Sequence, residues 1–332
     1  MTAQFVRALG LAGAMALGFA ASAQAADITL RLASVANAET TYGQAQEVLK
    51  EEFEKATNGR VELQIFNNNT LGSNREALEL AKLGTVDFVV TGLGHASAFA
   101  PQLNAVLFPY IWKDRDTMFE VLDGDVGGML SDALKPSRMS IVGWWDNGYR
   151  HVSNNVRPIN KVEDLKGLKL RTLPSSVHVA FFRAAGASPT PMSFNELMPA
   201  LQQGVLDGQE NPPTVVYPYR LFEAQKYYSL TSHVNEPMVL IMSDGARAKL
   251  SAEDLAALDA AIEKATAFQR ELNDKEVGAM MDKLRGEMEV NDVPPETIEA
   301  LRQIAAEVYP AATAELGEGG EVILDAIIEA NE

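Results

Sequence analysis

Three residues suited to holding an acid stand where short apolar runs give way to polar sequence. Arg150 lies just past Ser140–Trp145, Arg171 closes Gly167-Leu-Lys-Leu-Arg171, and Asn211 precedes Pro212-Pro213. A guanidinium is planar and always charged, and its fork of donors meets both oxygens of a carboxylate in parallel hydrogen bonds. Each such bond contributes roughly 1.5 to 3 kcal/mol, so a bidentate pair supplies about half of a micromolar affinity of ~8 kcal/mol. Thr91 and His95 follow the run ending at Val90, Trp145, Asp146 and Asn147 lead into Arg150, and Gln209 and Glu210 lead into Asn211. Ligands of open α/β sheets bind beyond the carboxyl ends of strands, so these groups define a candidate carboxylate site. Spacing alone leaves ordinary readings open. Arg171 after Lys169 also reads as a solvated base, Asn211 as a turn residue, Trp144-Trp145 as core, and His178 as a packed helix residue.

Catalytic signatures are missing. The chain has no G-x-S-x-G, H-E-x-x-H, Walker phosphate loop or G-x-G-x-x-G. Gly92-Leu-Gly94 and Gly317–Gly320 read as turns, and Asp123-Gly-Asp125 fails as a calcium loop because Leu134 stands where a bidentate Glu is required. His95, His151, His178 and His233 are too scattered for a local metal set. A binding protein without cofactor or metal is therefore expected, not an enzyme.

The elements that must position the candidate site alternate. Ile28–Ala33 has strand periodicity, Thr41–Asn58 has helical spacing, and Val61–Ile65 alternates again. Ser73-Asn-Arg-Glu76 reads as a capping box for a helix running to Leu83, and Val86–Val90 as a further strand. Downstream, strands are predicted at Ser140–Trp145, Gly167–Arg171, Val205–Glu210 and Met238–Met242. Helices are predicted from Asn160, over Ser176–Ala185 and from the box Ser193-Phe-Asn-Glu196. Such alternation specifies sheets flanked by helices. Ser251-Ala-Glu-Asp254 opens a periodic stretch continuing to about Leu284, which at ~1.5 Å per residue reaches some 50 Å, enough to lie across two domains.

Composition bounds the rest. Arg7, the apolar run Ala8–Ala21 and Ala23-Gln24-Ala25 have the order of a cleaved secretory signal over residues 1–25. The run's about fourteen residues fall short of the ~20 that span hydrocarbon. The remaining length suggests two domains. With no cysteine, the fold rests on packing without disulfides. A formal net charge of −17 repels phosphate backbones and excludes nucleic acid as a partner. An anion site on so acidic a chain must be a local positive pocket.

Several segments resemble the extracytoplasmic solute receptors of TRAP transporters, the tripartite ATP-independent periplasmic importers. They are Asp164-Leu-Lys-Gly-Leu-Lys-Leu-Arg171, Asn147-Gly-Tyr-Arg150, Asn154-Asn-Val-Arg-Pro-Ile159, Gly186-Ala-Ser-Pro-Thr-Pro-Met192 and Leu206-Asp-Gly-Gln-Glu-Asn-Pro212. The resemblance implies a two-domain α/β clamp of the periplasmic-binding-protein kind, with mixed, mostly parallel sheets flanked by helices and a long helix spanning both domains. One domain is expected over 27–147 plus 237–276 and the other over 148–236 plus 277–329, with the ligand cleft between them. It implies that Arg171 makes the main bidentate contact to a ligand carboxylate, that Arg150 is the second anion contact, and that Asn211 is the accompanying amide. Phe194 resembles the aromatic wall beneath the ligand, and His95 sits where some relatives place another cation. Trp145 joins the candidate set from its strand-end position. The implied ligand is a four-carbon dicarboxylate or a sugar acid such as a uronate. A monomeric periplasmic protein is expected to deliver it to membrane permease subunits. Service to an ATP-driven importer and ligand sensing for a membrane kinase are the alternatives.

Overall fold

The computed structural model describes residues 26–331, so the expected signal segment lies outside the described residues. The N-terminal alternation holds: β1 (Ile28–Ser34), α1 (Thr41–Ala56), β2 (Val61–Phe66), α2 (Asn74–Lys82) and β3 (Phe88–Gly92). β1 lies between β2 and β3 and runs parallel to both. The capping box at α2 is present, with the Ser73 hydroxyl accepting from the Glu76 amide and the Glu76 carboxylate accepting from the Ser73 amide. β3 passes directly into a single turn, α3 (Leu93–Ala96). Thus Gly92-Leu-Gly94 joins a strand to a helical turn. α4 (Arg115–Asp123) and α5 (Asp125–Ala133) follow.

β4 (Met139–Asn154) departs from expectation. It does not stop at Trp145 but continues through Asn147-Gly148 to Asn154. Polar residues and a glycine inside a strand read as a stop, yet here they form a bulge in which Gly148 takes φ +97, a conformation that favours glycine. β5 (Lys169–Thr172), α6 (Ser176–Ala184), β6 (Ser188–Pro191), α7 (Phe194–Gln202), β7 (Gly208–Asn211) and α8 (Pro213–Val216) come next. The expected helix near Asn160 is reduced to a 3-10 turn at Val162–Leu165. Ser193 precedes α7 without a side-chain cap. β8 (Tyr227–Ser243) is far longer than Met238–Met242.

The sheet order is β2-β1-β3-β8-β4-β7-β5-β6. β4 and β8 are antiparallel and belong to both halves. Their first segment of pairing reaches Asp146↔Pro237, and it resumes at Tyr149↔Asn235 after a register shift. On one side of that shift β8 also pairs with β3; on the other, β4 pairs with β7 and β8 with β9 (Glu289–Asp292). Parallel pairings at both ends and antiparallel ones in the middle make the sheet mixed.

After β8 come α9 (Asp244–Lys249), the long helix α10 (Ala252–Glu287), β9, α11 (Pro295–Ala314) and α12 (Gly320–Ala330). The capping box of Ser251 and Asp254 starts α10, which runs for 36 residues. Its Leu258, Ala261, Ile262 and Ala265 join the core of β1, β2 and α1, while Leu284 joins the core of α7, α8 and β8. One helix therefore spans both lobes, as its length predicts. Asp146, at the register shift, is fastened to α10: its amide donates to Gln269 Oε1 at 2.7 Å, and Asn273 Nδ2 donates to its Oδ2 at 2.9 Å.

The expected domain bounds differ from the packing at the C-terminus. Ile323, Leu324 and Ile327 of α12 are buried in the first lobe's core with Leu103, Leu130 and Leu134, whereas Leu301 and Ala305 of α11 pack with Phe181 and Phe182 of α6. The final helix thus crosses back to the first lobe because its apolar face is covered there.

Candidate functional site

A small cavity opens where the two lobes meet along the register shift. Its wall includes Tyr42, Asn74, Gly92, His95, Asn147, Arg150, Arg171, Leu173, Phe194, Asn211, Tyr219, Glu236 and Met238. Five of the six candidate residues, Arg171, Arg150, Asn211, Phe194 and His95, therefore come together there.

Arg171 is fully buried on β5, and its Nε donates to the Met192 carbonyl at 2.9 Å. Nη1 and Nη2 have no partner among the described residues. Burial pushes the guanidinium down to about 10, Glu210 opposes that shift and Arg150 adds to it. Even so it is charged at neutral pH. A buried charge whose donors are unmade is expensive until an anion meets it. The free fork suits the two oxygens of one carboxylate.

Arg150 is placed differently from its expectation at a strand end, because it lies inside β4 just beyond the bulge. Its donors are largely committed. Nε donates to Glu210 Oε2 at 2.5 Å, Nη1 to Glu236 Oε2 at 2.6 Å, and Nη2 to Glu210 Oε1 at 3.0 Å and to the Glu210 carbonyl. One N–H on Nη1 is left for the cavity. His233 Nε2 approaches Glu210 Oε2 at 3.2 Å from behind. Burial raises the Glu210 carboxyl, but Arg150 and His233 outweigh it and hold the group well below the usual carboxylate range.

Asn211 ends β7, where its amide donates to Gln209 Oε1, and Gln209 Nε2 donates to Ser153 Oγ at 2.7 Å. This chain of bonds fixes the amide orientation. Phe194 meets Tyr219 edge-on at 4.8 Å, forming an aromatic wall. Tyr219 in turn reaches the first lobe, its hydroxyl donating to the Val35 carbonyl at 2.8 Å and accepting from the Asn37 amide at 3.1 Å.

Two expectations need correction. His95 lines the cavity, but burial together with Arg171 and Arg150 lowers it to about 3, so it presents a neutral imidazole and not another cation. Trp145 is fully buried in the first lobe's core, its Nε1 donating to Thr266 Oγ1 at 3.0 Å, and it does not line the cavity. Strand alternation explains the difference: Trp145 precedes the bulge and points into the layer beneath α10. His178 is a buried residue, as its apolar helix suggested.

Sequence reasoning missed Glu236. It lies on β8, its Oε1 accepts from the Gly94 amide at 3.1 Å, and a Cβ at Gly92 would come within 2.8 Å of that oxygen. Gly92 thus makes room for the carboxylate, and Gly94 supplies the amide that holds it. The G-x-G spacing was the one available signal.

Comparison with known proteins bears on this geometry. The model of the family described as bacterial extracellular solute-binding protein, family 7 (DctP), matches residues 32–315. The C4-dicarboxylate-binding periplasmic protein DctP of Rhodobacter capsulatus is 30% identical over 322 residues, covering 96% of each chain. A TRAP periplasmic solute-binding protein from Sulfitobacter sp. NAS-14.1, solved with β-D-galacturonate, superposes with a TM-score of 0.86 at 30% identity, covering 91% of this chain and 99% of that one. The sugar acid binding protein DctPAm from Advenella mimigardefordensis, solved with galactonate, gives a TM-score of 0.88 at 26% identity, covering 92% and 100%. Those relatives are solute receptors and not enzymes. The family model covers most of the chain and the solved relatives superpose on more than nine-tenths of it, so the chain belongs to the bacterial extracellular solute-binding proteins of family 7, the DctP family of TRAP periplasmic solute receptors.

Proposed function

We propose that this receptor captures a small organic acid by clamping its carboxylate with Arg171 and delivers it to the membrane permease of a TRAP importer. The carrying observation is the buried Arg171 guanidinium, whose Nη1 and Nη2 lack partners in the cavity wall. A carboxylate supplies the two acceptors that the fork requires, and exclusion of water strengthens the pair. Arg150 contributes the one N–H that Glu210 and Glu236 leave free. Asn211 offers a fixed amide, Phe194 an apolar floor and His95 a neutral imidazole.

The lobes on either side of the β4/β8 register shift are the moving bodies, with the first lobe including α12. Closure is completed by Tyr219 on the Val35–Asn37 segment, and the closed monomer is the form the permease receives. Family membership supports this ATP-independent route over an ATP-driven importer or a kinase sensor. The test is a thermal-shift screen with organic acids followed by calorimetry on wild type and Arg171→Ala. An acid at about a hundred times its Kd adds roughly 2.7 kcal/mol of stability. Binding that survives unchanged in Arg171→Ala overturns the clamp, and uptake by permease-bearing vesicles without this receptor overturns the delivery role.

A further inference from the structure

We infer that Glu236 makes this receptor selective for polyhydroxylated monocarboxylates, of the aldonate and uronate class, over acids with a second carboxylate. This rests on the Arg171 clamp proposed above. Among the described residues the cavity wall carries three charged side chains, Arg150, Arg171 and Glu236: burial raises the Glu236 carboxyl, Arg150 at 2.6 Å opposes that as its ion-pair partner, and the histidine is neutral. Behind them Glu210 lies against Arg150. Arg150 therefore faces two carboxylates at contact distance, Glu210 and Glu236, and its positive charge is more than offset. The group of four is formally neutral before an acid enters.

One carboxylate on Arg171 leaves the buried group with a single negative charge. A second carboxylate would make that two, and among the described residues no unopposed cation lines the cavity to receive it. The low-dielectric interior magnifies the difference, because like charges there are poorly screened.

Hydrogen bonding points the same way. An ionised carboxylate only accepts, whereas a hydroxyl both donates and accepts. Glu236 accepts from Arg150 Nη1 at 2.6 Å and from the Gly94 amide at 3.1 Å, two donors that favour its ionised form, and it keeps lone pairs for further donors. Asn147 Oδ1, also on the wall, is buried without a partner among the described residues. These acceptors call for donors from the bound molecule. Hydroxyl groups along a sugar-acid chain provide them, and a succinate-like chain does not. Gly92 admits the Glu236 carboxylate to this position, since a side chain there would meet it, and the Gly94 amide holds it.

Matched pairs that differ only in one terminal group provide the test: gluconate against glucarate, and erythronate against meso-tartrate, titrated calorimetrically into wild type and Glu236→Gln. In wild type, at least one monocarboxylate is expected to bind ten times or more tightly than its dicarboxylate partner. In Glu236→Gln that ratio is expected to fall below threefold, through weaker monocarboxylate binding and equal or stronger dicarboxylate binding. A residue that merely held Arg150 in place would weaken both members alike. Wild-type binding of the dicarboxylate as tightly as its partner overturns the inference, as does an unchanged ratio in folded Glu236→Gln. Should the variant not fold, the wild-type ratio decides. If neither pair binds but succinate does, in an Arg171-dependent manner, the selectivity inference fails and the clamp stands. Failure of every acid to bind removes the clamp itself.

Discussion

Arg150 holds Glu210 along two bonds at once, Nε to Oε2 at 2.5 Å and Nη2 to Oε1 at 3.0 Å, with both side chains out of reach of solvent. The pair stands behind the cavity as a fixed plate that orients the rest of the wall. Neutralising Glu210 takes away one of Arg150's two counter-charges and the parallel bonds to it, leaving Glu236 alone opposite the guanidinium, which costs about 3 kcal/mol. Glu210→Gln is accordingly expected to lower Tm by roughly 10 °C, at ~2 to 4 °C per kcal/mol for a chain of this order of size. Calorimetric melting checks it, and a shift under 2 °C would contradict a structural role for the pair.

Acid should loosen the protein in a defined window. Burial holds His95, His151 and His178 at about 3, each well below the free imidazole. Between ~6.5 and about 3 the unfolded chain therefore binds protons that the folded one refuses. Stability rises with pH through that window and falls as the solution is acidified, by up to ~1.4 kcal/mol per pH unit for each histidine. Glu210, depressed in the fold, adds to the loss below the ordinary carboxylate range, while Glu236, raised by burial, partly offsets it. Melting temperatures measured from pH 8 to pH 4 should be flat above pH 7 and decline below 6.5. A flat profile down to pH 4.5 would show that the histidines are not buried neutral.

Arg171→Lys separates charge from geometry. An ammonium keeps the positive charge but not the parallel fork, so acid binding should weaken by about 30-fold or more, on the order of one charge-assisted hydrogen bond. Calorimetry with any acid that binds wild type reads the change directly. Retention of wild-type affinity would mean that charge alone suffices.

Tyr219→Phe removes the hydroxyl that joins the second lobe to Val35 and Asn37 while preserving the ring against Phe194. Two modest hydrogen bonds at ~1 kcal/mol each are lost from the closed form. Dissociation of a bound acid should accelerate roughly tenfold with little change in association rate. Stopped-flow fluorescence distinguishes this from a general loss of structure, which would slow association as well.

Trp145→Phe tests the corrected placement of that residue. Loss of the bond to Thr266 should reduce stability by about 1 to 2 kcal/mol, since the hydroxyl is left without its donor. Acid affinity should stay within twofold. A tenfold loss with an unchanged melting temperature would return Trp145 to the binding site.

What the sequence disclosed follows from where local signals and global packing agree. The boxes at Ser73 and Ser251, the strand closing on Arg171 and the length of α10 are set by nearby residues, and all are present. The two through-strands were hidden. Their middles carry Asn147-Gly148 in β4 and Asn235-Glu236-Pro237 in β8, polar or breaking residues that ordinarily end a strand. Here they persist because Arg150, Glu210 and Glu236 satisfy one another inside the sheet, a relation between residues 60 to 86 positions apart that no local window contains. The same remoteness concealed Glu236 and made Arg150 look like a strand-end residue. Trp145 was misplaced because side-chain direction depends on the phase of a strand whose bulge was not anticipated.

The through-strands also have a mechanical consequence. Backbone pairing is intact on both sides of the register shift, at Asp146↔Pro237 and at Tyr149↔Asn235, so the lobes are not beads on slack tethers. α10 pins the sheet here through Gln269 and Asn273 on Asp146, and regular pairing is interrupted in the span that contains Gly148 and again between Arg150 and Val152. Any bending of one lobe against the other must be taken up at these two interruptions, as torsions in strands that stay paired on either side.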